Sequence, residues 1–169
     1  MGIRVSAVCV MLAAGWAGAS LAGSGAAALL EPKSGSIVKG SVTFEETPAG
    51  VRLSAMVSGL TPGQHGFHIH DKGDCSAADA TSAGGHFNPT GQPHGAPSAP
   101  SHHGGDLLQL EANGEGNATL VEVLAGQTLS GPSGVIGRSV VVHGGKDDYQ
   151  SQPAGNSGPR VACGVITAN

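Results

Sequence analysis

The sequence predicts an all-β fold, an antiparallel sandwich or barrel, and three observations carry this prediction. Apolar and polar residues alternate in several short segments, which is typical of strands with one face in water. Turn signals such as Thr61–Gly63 and Asn113–Gly116 separate these segments. The 169 residues also include 29 glycines and 10 prolines, and both residue types weaken helices. Many short strands separated by such turns indicate a sandwich or a barrel.

The strands are predicted in chain order from this alternation. Ser36–Phe44 and Val51–Val57 alternate most clearly, with a turn at Glu46–Gly50 between them. Four further segments have the composition and the bounding turns of strands. They are Gly66–His70, Asn117–Val123, Ser139–His143 and Val161–Ile166.

Two long segments interrupt the strands. Lys72–Gly105 and Gly144–Pro159 are rich in glycine, proline, serine and alanine, so they are predicted to be loops. Loops of this length in a compact domain are usually functional or disordered. Because both hold or adjoin the candidate metal ligands described below, we interpret them as two functional loops that a metal and a disulfide would order.

The N-terminal segment has the organisation of a signal peptide. Arg4 supplies a positive charge, Val5–Ala14 is a short apolar stretch, and small residues follow at Ala17–Ala19 and Ser20–Ala22. The apolar stretch is too short to span a membrane. We therefore predict a signal peptide at residues 1–22, export of the chain, and one mature domain at residues 23–169.

Removal of the signal peptide would leave two of the three cysteines, Cys75 and Cys163. In the oxidising compartments outside the cytoplasm, two such cysteines usually form a disulfide. The alternative is a pair of buried free thiols.

The charge argues against two classes of partner. The chain has 8 Lys and Arg residues against 12 Asp and Glu residues, a formal net charge of −4, and no run of basic residues. Nucleic acids and anionic membranes need a basic surface, so we expect neither as a partner.

Four residues with metal-binding side chains follow one another in the first long loop and just beyond it. They are His86, His94, His103 and Asp106. Three imidazoles and a carboxylate form a closed tetrahedral set that suits zinc. His102 lies beside His103 and competes for its position, but we interpret it as a solvated loop residue.

A second group of histidines lies on predicted strands. His68 and His70 alternate, so both rings lie on the same face of a strand, and His143 ends the apolar run Val140–Val142. Imidazole nitrogens suit copper or zinc, so the two groups together predict a two-metal site. The alternative is a histidine-rich tract that binds metal loosely. His65, close by in sequence, is expected to be structural.

The sequence resembles the copper/zinc superoxide dismutases. The similar segments are His65–His70, Ser82–Pro89, His103–Leu107, Gly137–His143 and Gly158–Ile166. They occur in the family's order and extend over about residues 35–166, and the family's spacing selects His103 rather than His102. Cys75 directly follows Gly73 and Asp74, which is similar to the bacterial periplasmic branch.

The resemblance implies a role for each site residue. The copper ligands would be His68, His70, His86 and His143, and the zinc ligands would be His86, His94, His103 and Asp106. His86 would be shared by both metals, which a ring with two nitrogens allows. Asp147 would link the copper and zinc histidines from outside the two ligand sets. Arg160 would guide the anionic substrate to the site. Cys75 and Cys163 would form the disulfide.

The resemblance also implies the fold and the activity. The fold would be a Greek-key β-barrel, flattened like an immunoglobulin sandwich. The reaction would convert two superoxide anions to dioxygen and hydrogen peroxide by alternating copper redox. One copper and one zinc ion per chain would be needed, and His86 would carry a proton. We expect a periplasmic enzyme that protects the cell envelope. The oligomeric state is left open, with a homodimer among the alternatives.

Two other functions are weighed against this one. A copper-binding or chaperone protein on the same barrel would typically lack a copper ligand or Arg160. A structural barrel that binds only zinc would lack His70 or His143. The chain retains all of these residues, which favours the enzyme.

The sources of positive charge near the site are few. Gln150–Pro159 contains no charged residue, so Lys72 and Lys146 are the nearby lysines that would add to Arg160. Arg138, at the start of the predicted strand that ends at His143, is expected to be structural.

Overall fold

Residues 1–2 and 25–169 of the chain are described in a computed structural model. The predicted signal peptide at residues 1–22 falls almost entirely outside these residues and stays a prediction. The described part contains ten strands, and its one helical element is a 3-10 turn at Thr81–Ala83. No helix within it is long and apolar enough to cross a membrane.

The strands are short, and the predicted all-β fold class is confirmed. In chain order they are β1 (Gly25–Pro32), β2 (Lys39–Thr47), β3 (Gly50–Ser58), β4 (Gly63–His65), β5 (Phe67–His70), β6 (Leu110–Ala112), β7 (Ala118–Leu124), β8 (Ser139–His143), β9 (Arg160–Val165) and β10 (Thr167–Ala168). The six predicted strands correspond to β2, β3, β5, β7, β8 and β9. The bounds differ because alternation continues into the residues that begin or end a turn.

Most of the strands form one curled antiparallel sheet. Its order is β5-β8-β9-β1-β2-β3-β7, with β10 paired to β1, while β4 and β6 form a separate two-stranded ladder. β1 lies beside β9, and β5 lies beside β8. Such neighbours are distant in sequence, as the long connections of a Greek key require. The curled sheet encloses one large apolar core.

β3 shows how alternation builds that core. Its buried residues are Val51, Leu53, Ala55 and Val57. Arg52 and Met56, between them, face solvent. Burial of a large apolar side chain contributes about 1.5–3 kcal/mol to stability, so the inner face of the strand determines its register against β2 and β7.

β5 and β8 differ because both of their faces are buried. Their register pairs His68 with Val141 and His70 with Ser139. These four side chains therefore share one face of the sheet, while Ile69 on the other face packs into the core. The long loops cover the histidine face, and this is where the site forms.

The first long loop is joined to β5 by main-chain hydrogen bonds. The N–H of Ile69 donates to the carbonyl of Gly105 over 2.9 Å, and the N–H of Phe87 donates to the carbonyl of Ile69 over 2.8 Å. A Cβ at position 105 would collide with the carbonyl oxygen of Ile69. Glycine is therefore required at the point where the loop residues after His103 reach the strand.

The Cys75–Cys163 disulfide is present, as predicted, and joins residues 88 positions apart. Cys163 lies on β9 and packs with Ala80, Ala83 and Val141 in a small apolar cluster outside the main core. The disulfide and this cluster hold the start of the first long loop against the sheet.

We expect Cys75→Ser to lower the free energy of unfolding by roughly 4–5 kcal/mol, because the bond closes a long loop in the unfolded chain. Urea unfolding of the oxidised wild type and the variant measures this difference. Met56→Ser, on the exposed side of β3, is the control and should change stability little. Two reactive thiols per mature wild-type chain, after unfolding without reductant, would contradict the disulfide itself.

Candidate metal centre

Four buried histidines converge where β5, β8 and the first long loop meet. They are His68, His70, His86 and His143, and each offers a ligand atom within 4.8 Å of the others. One nitrogen of each ring, Nδ1 of His68 and Nε2 of the other three, is buried without a hydrogen-bond partner. Buried polar atoms are normally paired. Because metal–imidazole bonds are about 2 Å long, a single ion fits among these four nitrogens and would satisfy them.

The opposite nitrogen of three of these rings is held by an oxygen. His70 Nδ1 lies 2.9 Å from the carbonyl oxygen of Gly84, and His143 Nδ1 lies 3.2 Å from that of Gly158. His68 Nε2 lies 2.6 Å from a carboxylate oxygen of Asp147. Each oxygen accepts a hydrogen bond, so each ring carries its proton on the outer nitrogen and keeps a lone pair on the inner one. The three rings are thus oriented as metal ligands.

The second ligand set lies beside the first. It consists of His86, His94, His103 and Asp106, all buried. The Oδ1 atom of Asp106 lies 2.8 Å from His86 Nδ1, 2.9 Å from His94 Nδ1 and 3.3 Å from His103 Nδ1. The ligands of a tetrahedral zinc ion lie about 3.3 Å apart, given zinc–nitrogen bonds of about 2 Å. The donor set and its spacing therefore fit zinc.

His86 belongs to both sets. Its Nδ1 faces Asp106, and its Nε2 is one of the four unpartnered nitrogens of the first set. One imidazole ring therefore connects the two sites, and the two ligand sets cannot be changed independently at this residue.

Asp147 connects the two sets from the outside. Its Oδ2 accepts from His68 Nε2 over 2.6 Å, and its Oδ1 accepts from His94 Nε2 over 3.0 Å. Burial acts to raise the pKa of Asp147, but the hydrogen bonds with the two histidines outweigh it and hold the pKa well below its ordinary value. The carboxylate is thus ionised and orients one ring of each set.

Three residues that position Asp147 were not identified from the sequence. Gln109 accepts from the Asp147 main-chain N–H over 2.9 Å, and the main-chain N–H of Tyr149 donates to Asp147 Oδ1 over 2.7 Å. Gly155 has a φ of +66°, and a Cβ there would meet Asp147 Oδ1 and His94 Nε2. The composition singles out Tyr149 as the one tyrosine of the chain. Only the fold, however, brings these three residues to Asp147.

The histidines of the two sets differ in charge. Burial lowers the pKa of His68 to about 4 and that of His143 to about 3. Both are therefore neutral near pH 7 and able to bind metal. Burial also acts to lower the pKa of His94, but hydrogen bonds with Asp106 and Asp147 outweigh it and raise the pKa to about 9. In the absence of metal, protonated His94 lies between these two carboxylates and offsets one of their two negative charges.

For the metal-free protein, we expect the free energy of unfolding to fall as the pH drops from 6.5 toward about 4. In the unfolded chain His68 and His143 gain protons near their ordinary pKa of 6.5, whereas the folded rings stay neutral to about 4 and about 3. The unfolded state then binds more protons, so acid favours unfolding. His94 has the opposite shift, so its contribution to stability is fully present below pH 6.5 and is lost as the pH rises through about 9. Between pH 6.5 and about 4 this contribution is constant, and it does not offset the loss of stability caused by His68 and His143. The thermal midpoint of chelator-treated, oxidised protein measures the effect, and a midpoint that stays constant or rises toward pH 4 would contradict it.

Arg160 is placed beside the first set by main-chain oxygens. Its Nη1 donates to the carbonyl of Ala80 over 2.7 Å, and its Nη2 donates to the carbonyl of Gly84 over 2.8 Å. The same Gly84 oxygen accepts from His70 Nδ1. The guanidinium and a ligand ring therefore share one acceptor, which places a fixed positive charge next to this ligand set. Lys72 packs against Gly84, since a Cβ there would lie 3.4–3.7 Å from its methylene carbons, and Lys146 is exposed.

Three further residues considered from the sequence lie outside both ligand sets. His65 contacts the carbonyl oxygens of His143 at 2.8 Å and Thr61 at 2.9 Å. His102 contacts the carbonyl oxygen of His103 at 2.7 Å. Arg138 donates to Asp71 and lies with its guanidinium carbon 3.5 Å from the centre of the Phe87 ring.

Known proteins resemble this chain over most of its length. The family model described as copper/zinc superoxide dismutase (SODC) matches residues 38–166. The Superoxide dismutase [Cu-Zn] of Deinococcus radiodurans is 43% identical over 142 residues, which cover 78% of this chain and 78% of the relative. That of Cordyceps militaris is 45% identical over 138 residues, covering 76% of this chain and 89% of the relative.

The chain is also similar to an extracellular relative and to a solved structure. The extracellular superoxide dismutase [Cu-Zn] of Caenorhabditis elegans is 44% identical over 134 residues, covering 75% of this chain but 60% of that longer relative. The crystal structure of the clock protein EA4 superposes with a TM-score of 0.78 at 39% identity, covering 86% of this chain and 94% of that chain.

The family match spans residues 38–166, a range that contains both ligand sets, Asp147, Arg160 and both cysteines of the disulfide. The three relatives above are all named for one activity. The chain therefore belongs to the copper/zinc superoxide dismutase family, whose reaction turns superoxide into dioxygen and hydrogen peroxide with copper and zinc as cofactors.

Proposed function

We propose that each metal is held by one of the two ligand sets. Copper is held by His68, His70, His86 and His143, and zinc by His86, His94, His103 and Asp106. The observation that carries this assignment is the double engagement of His86, whose Nε2 is unpartnered in the first set while its Nδ1 lies 2.8 Å from Asp106 in the second. Copper held there would supply the one-electron redox chemistry that the conversion of superoxide needs, and zinc would supply charge and order.

His86 is proposed to carry one of the protons of the reaction. Two superoxide anions and two protons give one dioxygen and one hydrogen peroxide, so protons must reach the second anion. The Nε2 atom of His86 lies in the first set, while Nδ1 of the same ring is engaged beside Asp106. Nε2 would be free to hold a proton only while its bond to a reduced copper ion is loosened, and Nδ1 would keep the ring in place meanwhile. The other proton comes from solvent.

Arg160 is proposed to attract and orient superoxide. The chain carries a formal net charge of −4, so its overall charge repels an anion and a local positive field must act instead. The guanidinium is fixed by two carbonyl oxygens, one of them shared with His70. Its position is therefore tied to that of a copper ligand. Lys72 adds positive charge on the same side through its packing against Gly84.

The place of action is proposed to be the periplasm, where the enzyme protects the cell envelope from superoxide. The supporting observations are the signal-peptide pattern of residues 1–22, the disulfide, and the export implied by the name of one relative. The mature domain would span residues 23–169. Assembly as a homodimer is a further proposal, which light scattering of the purified protein tests.

The activity and the metal assignment are tested together on protein purified from the periplasm of its own cells. We expect one copper and one zinc ion per chain and rapid decay of superoxide by pulse radiolysis. Selective removal of zinc should leave copper bound. Protein with full copper and zinc content that does not accelerate superoxide decay would overturn the proposal.

The export proposal makes a separate prediction about the N-terminus. We expect the mature protein to lack Trp16, the only tryptophan, and to show tyrosine emission from Tyr149 alone. β1 begins at Gly25 and pairs with β2, β9 and β10, so cleavage should occur before this residue. Intact mass measures the new terminus, and periplasmic protein that retains Trp16 would refute the prediction.

A further inference from the structure

His94 lies in a part of the first long loop that has few ties to the rest of the chain. Among the described residues, the main chain of residues 89–101 has hydrogen-bond partners beyond residues 88–103 only at His94 and Gly95. The Gly95 N–H donates to Asp106 Oδ2 over 3.0 Å, and Asp106 is itself one of the proposed zinc ligands. The position of the His94 main chain therefore depends on the partner that holds it from outside the loop.

One side chain from the second long loop, Gly144–Pro159, holds the His94 main chain at both of its polar groups. Gln152 Oε1 accepts from the His94 N–H over 2.9 Å, and Gln152 Nε2 donates to the His94 carbonyl oxygen over 2.9 Å. Paired residues in antiparallel strands exchange bonds in the same way, and a side-chain amide can do so because it has both a donor and an acceptor. Nε2 also lies 3.3 Å from the carbonyl oxygen of Gln150, which directs the amide from its own loop. We call the two bonds to His94 the Gln152 clamp.

The part of the second long loop that carries the clamp is closed by its own hydrogen bonds. The Asp148 N–H donates to the Gly155 carbonyl over 2.9 Å, and the Asp148 carboxylate accepts from the Ser151 N–H over 2.7 Å. Asp147, directly before this closed segment, accepts from Nε2 of the His94 ring over 3.0 Å. The second long loop therefore holds His94 at two points, the ring through Asp147 and the main chain through the clamp.

We propose that Gln152 is a positioning residue for zinc, which raises the affinity for the ion by fixing the main chain of His94 in the place where its ring can bind. The proposal rests on the assignment of the zinc set, which is His86, His94, His103 and Asp106. Ordering a loop segment costs conformational entropy, and a ligand that is ordered beforehand spares the ion this cost. Without the clamp, the cost of ordering the chain around His94 would oppose zinc binding.

The test measures the affinity for zinc in the copper-containing, disulfide-intact protein. The protein is dialysed against a series of buffers that fix the free zinc concentration, and its zinc and copper contents are then measured. We expect Gln152→Ala to raise the Kd for zinc roughly three- to tenfold, the factor that one or two hydrogen bonds supply, while the copper content equals that of wild type. Gln152 is exposed, so this variant should fold normally. Gln150→Ala is the matched control, because it removes an exposed side chain of the same type from the same loop and leaves the clamp intact. Its Kd should equal that of wild type.

Urea unfolding of zinc-loaded and metal-free protein separates this role from a merely structural one. If the clamp positions a zinc ligand, Gln152→Ala should be less stable than wild type mainly when zinc is bound. If the clamp only supports the fold, both forms should lose equal stability and the Kd for zinc should stay that of wild type, which would overturn the proposal. An equal rise in Kd for Gln150→Ala would overturn it too. Wild-type zinc binding by His94→Ala would instead show that the zinc assignment is wrong, and the role of Gln152 would fail with it.

Discussion

In His86→Ala, we expect both metal sites to be damaged at once and superoxide to decay no faster than in buffer. Removal of this ring takes one nitrogen from each ligand set. Loss of an outer partner of a metal ligand already costs about 10- to 100-fold in metal affinity or activity, so loss of a shared ligand should cost more. Copper and zinc content after dialysis, the paramagnetic resonance of bound copper, and superoxide decay are the three measurements.

The comparison variant is His94→Ala, because His94 belongs to the zinc set only. It should lose zinc while copper remains bound. It should also release Asp147 from one of its two histidine partners, so the copper spectrum should change modestly. A His86→Ala protein with intact copper geometry and activity would show that the bridging assignment is wrong.

In Arg160→Ala, we expect the second-order rate of superoxide consumption to fall roughly tenfold at low salt, and in Arg160→Glu to fall further. Copper content should stay unchanged, because the guanidinium contacts main-chain carbonyls and no ligand ring directly. Pulse radiolysis across a range of ionic strength measures both effects. Because Gln150–Pro159 carries no charge, added salt should slow wild type less than relatives with a charged loop.

The matched control is Arg52→Ala, which removes an equal charge from the exposed face of β3. Arg52 forms an ion pair with Glu45 at the surface, and such exposed pairs contribute little to protein stability. Its rate should equal that of wild type. Equal rates for wild type and Arg160→Glu at low salt, with copper fully bound, would remove Arg160 from the mechanism.

The strands illustrate what alternation can and cannot predict. β3 was predicted nearly to its ends because one face is apolar and the other polar. β1 was missed although Ala26, Ala28 and Leu30 are buried at alternate positions. The residues between them include Ala27 and Leu29, so both faces are apolar and no alternation is visible. The very short β4, β6 and β10 were missed because two or three residues do not establish a period.

The two candidate ligand sets could be predicted because metal binding depends on side-chain chemistry. Few residue types bind copper or zinc, and the chain has only eight histidines. The resemblance then separated His103 from His102, and the structure brings the first but not the second into the zinc set. The resemblance likewise proposed Asp147, whose contacts with His68 and His94 the structure supplies.

The sequence by itself determined the kind of site, since residue type and order along the chain limit which metals and which disulfide are possible. Only the tertiary structure decided which nitrogen of each ring faces inward, because that choice depends on acceptors from distant segments. The Gly84 oxygen, which joins Arg160 to His70, is a main-chain atom that every residue possesses. The approach of Gly155 to Asp147 likewise depends on how two parts of a loop fold together. Such contacts follow from the path of the backbone, and no pattern of side chains along the sequence encodes them locally.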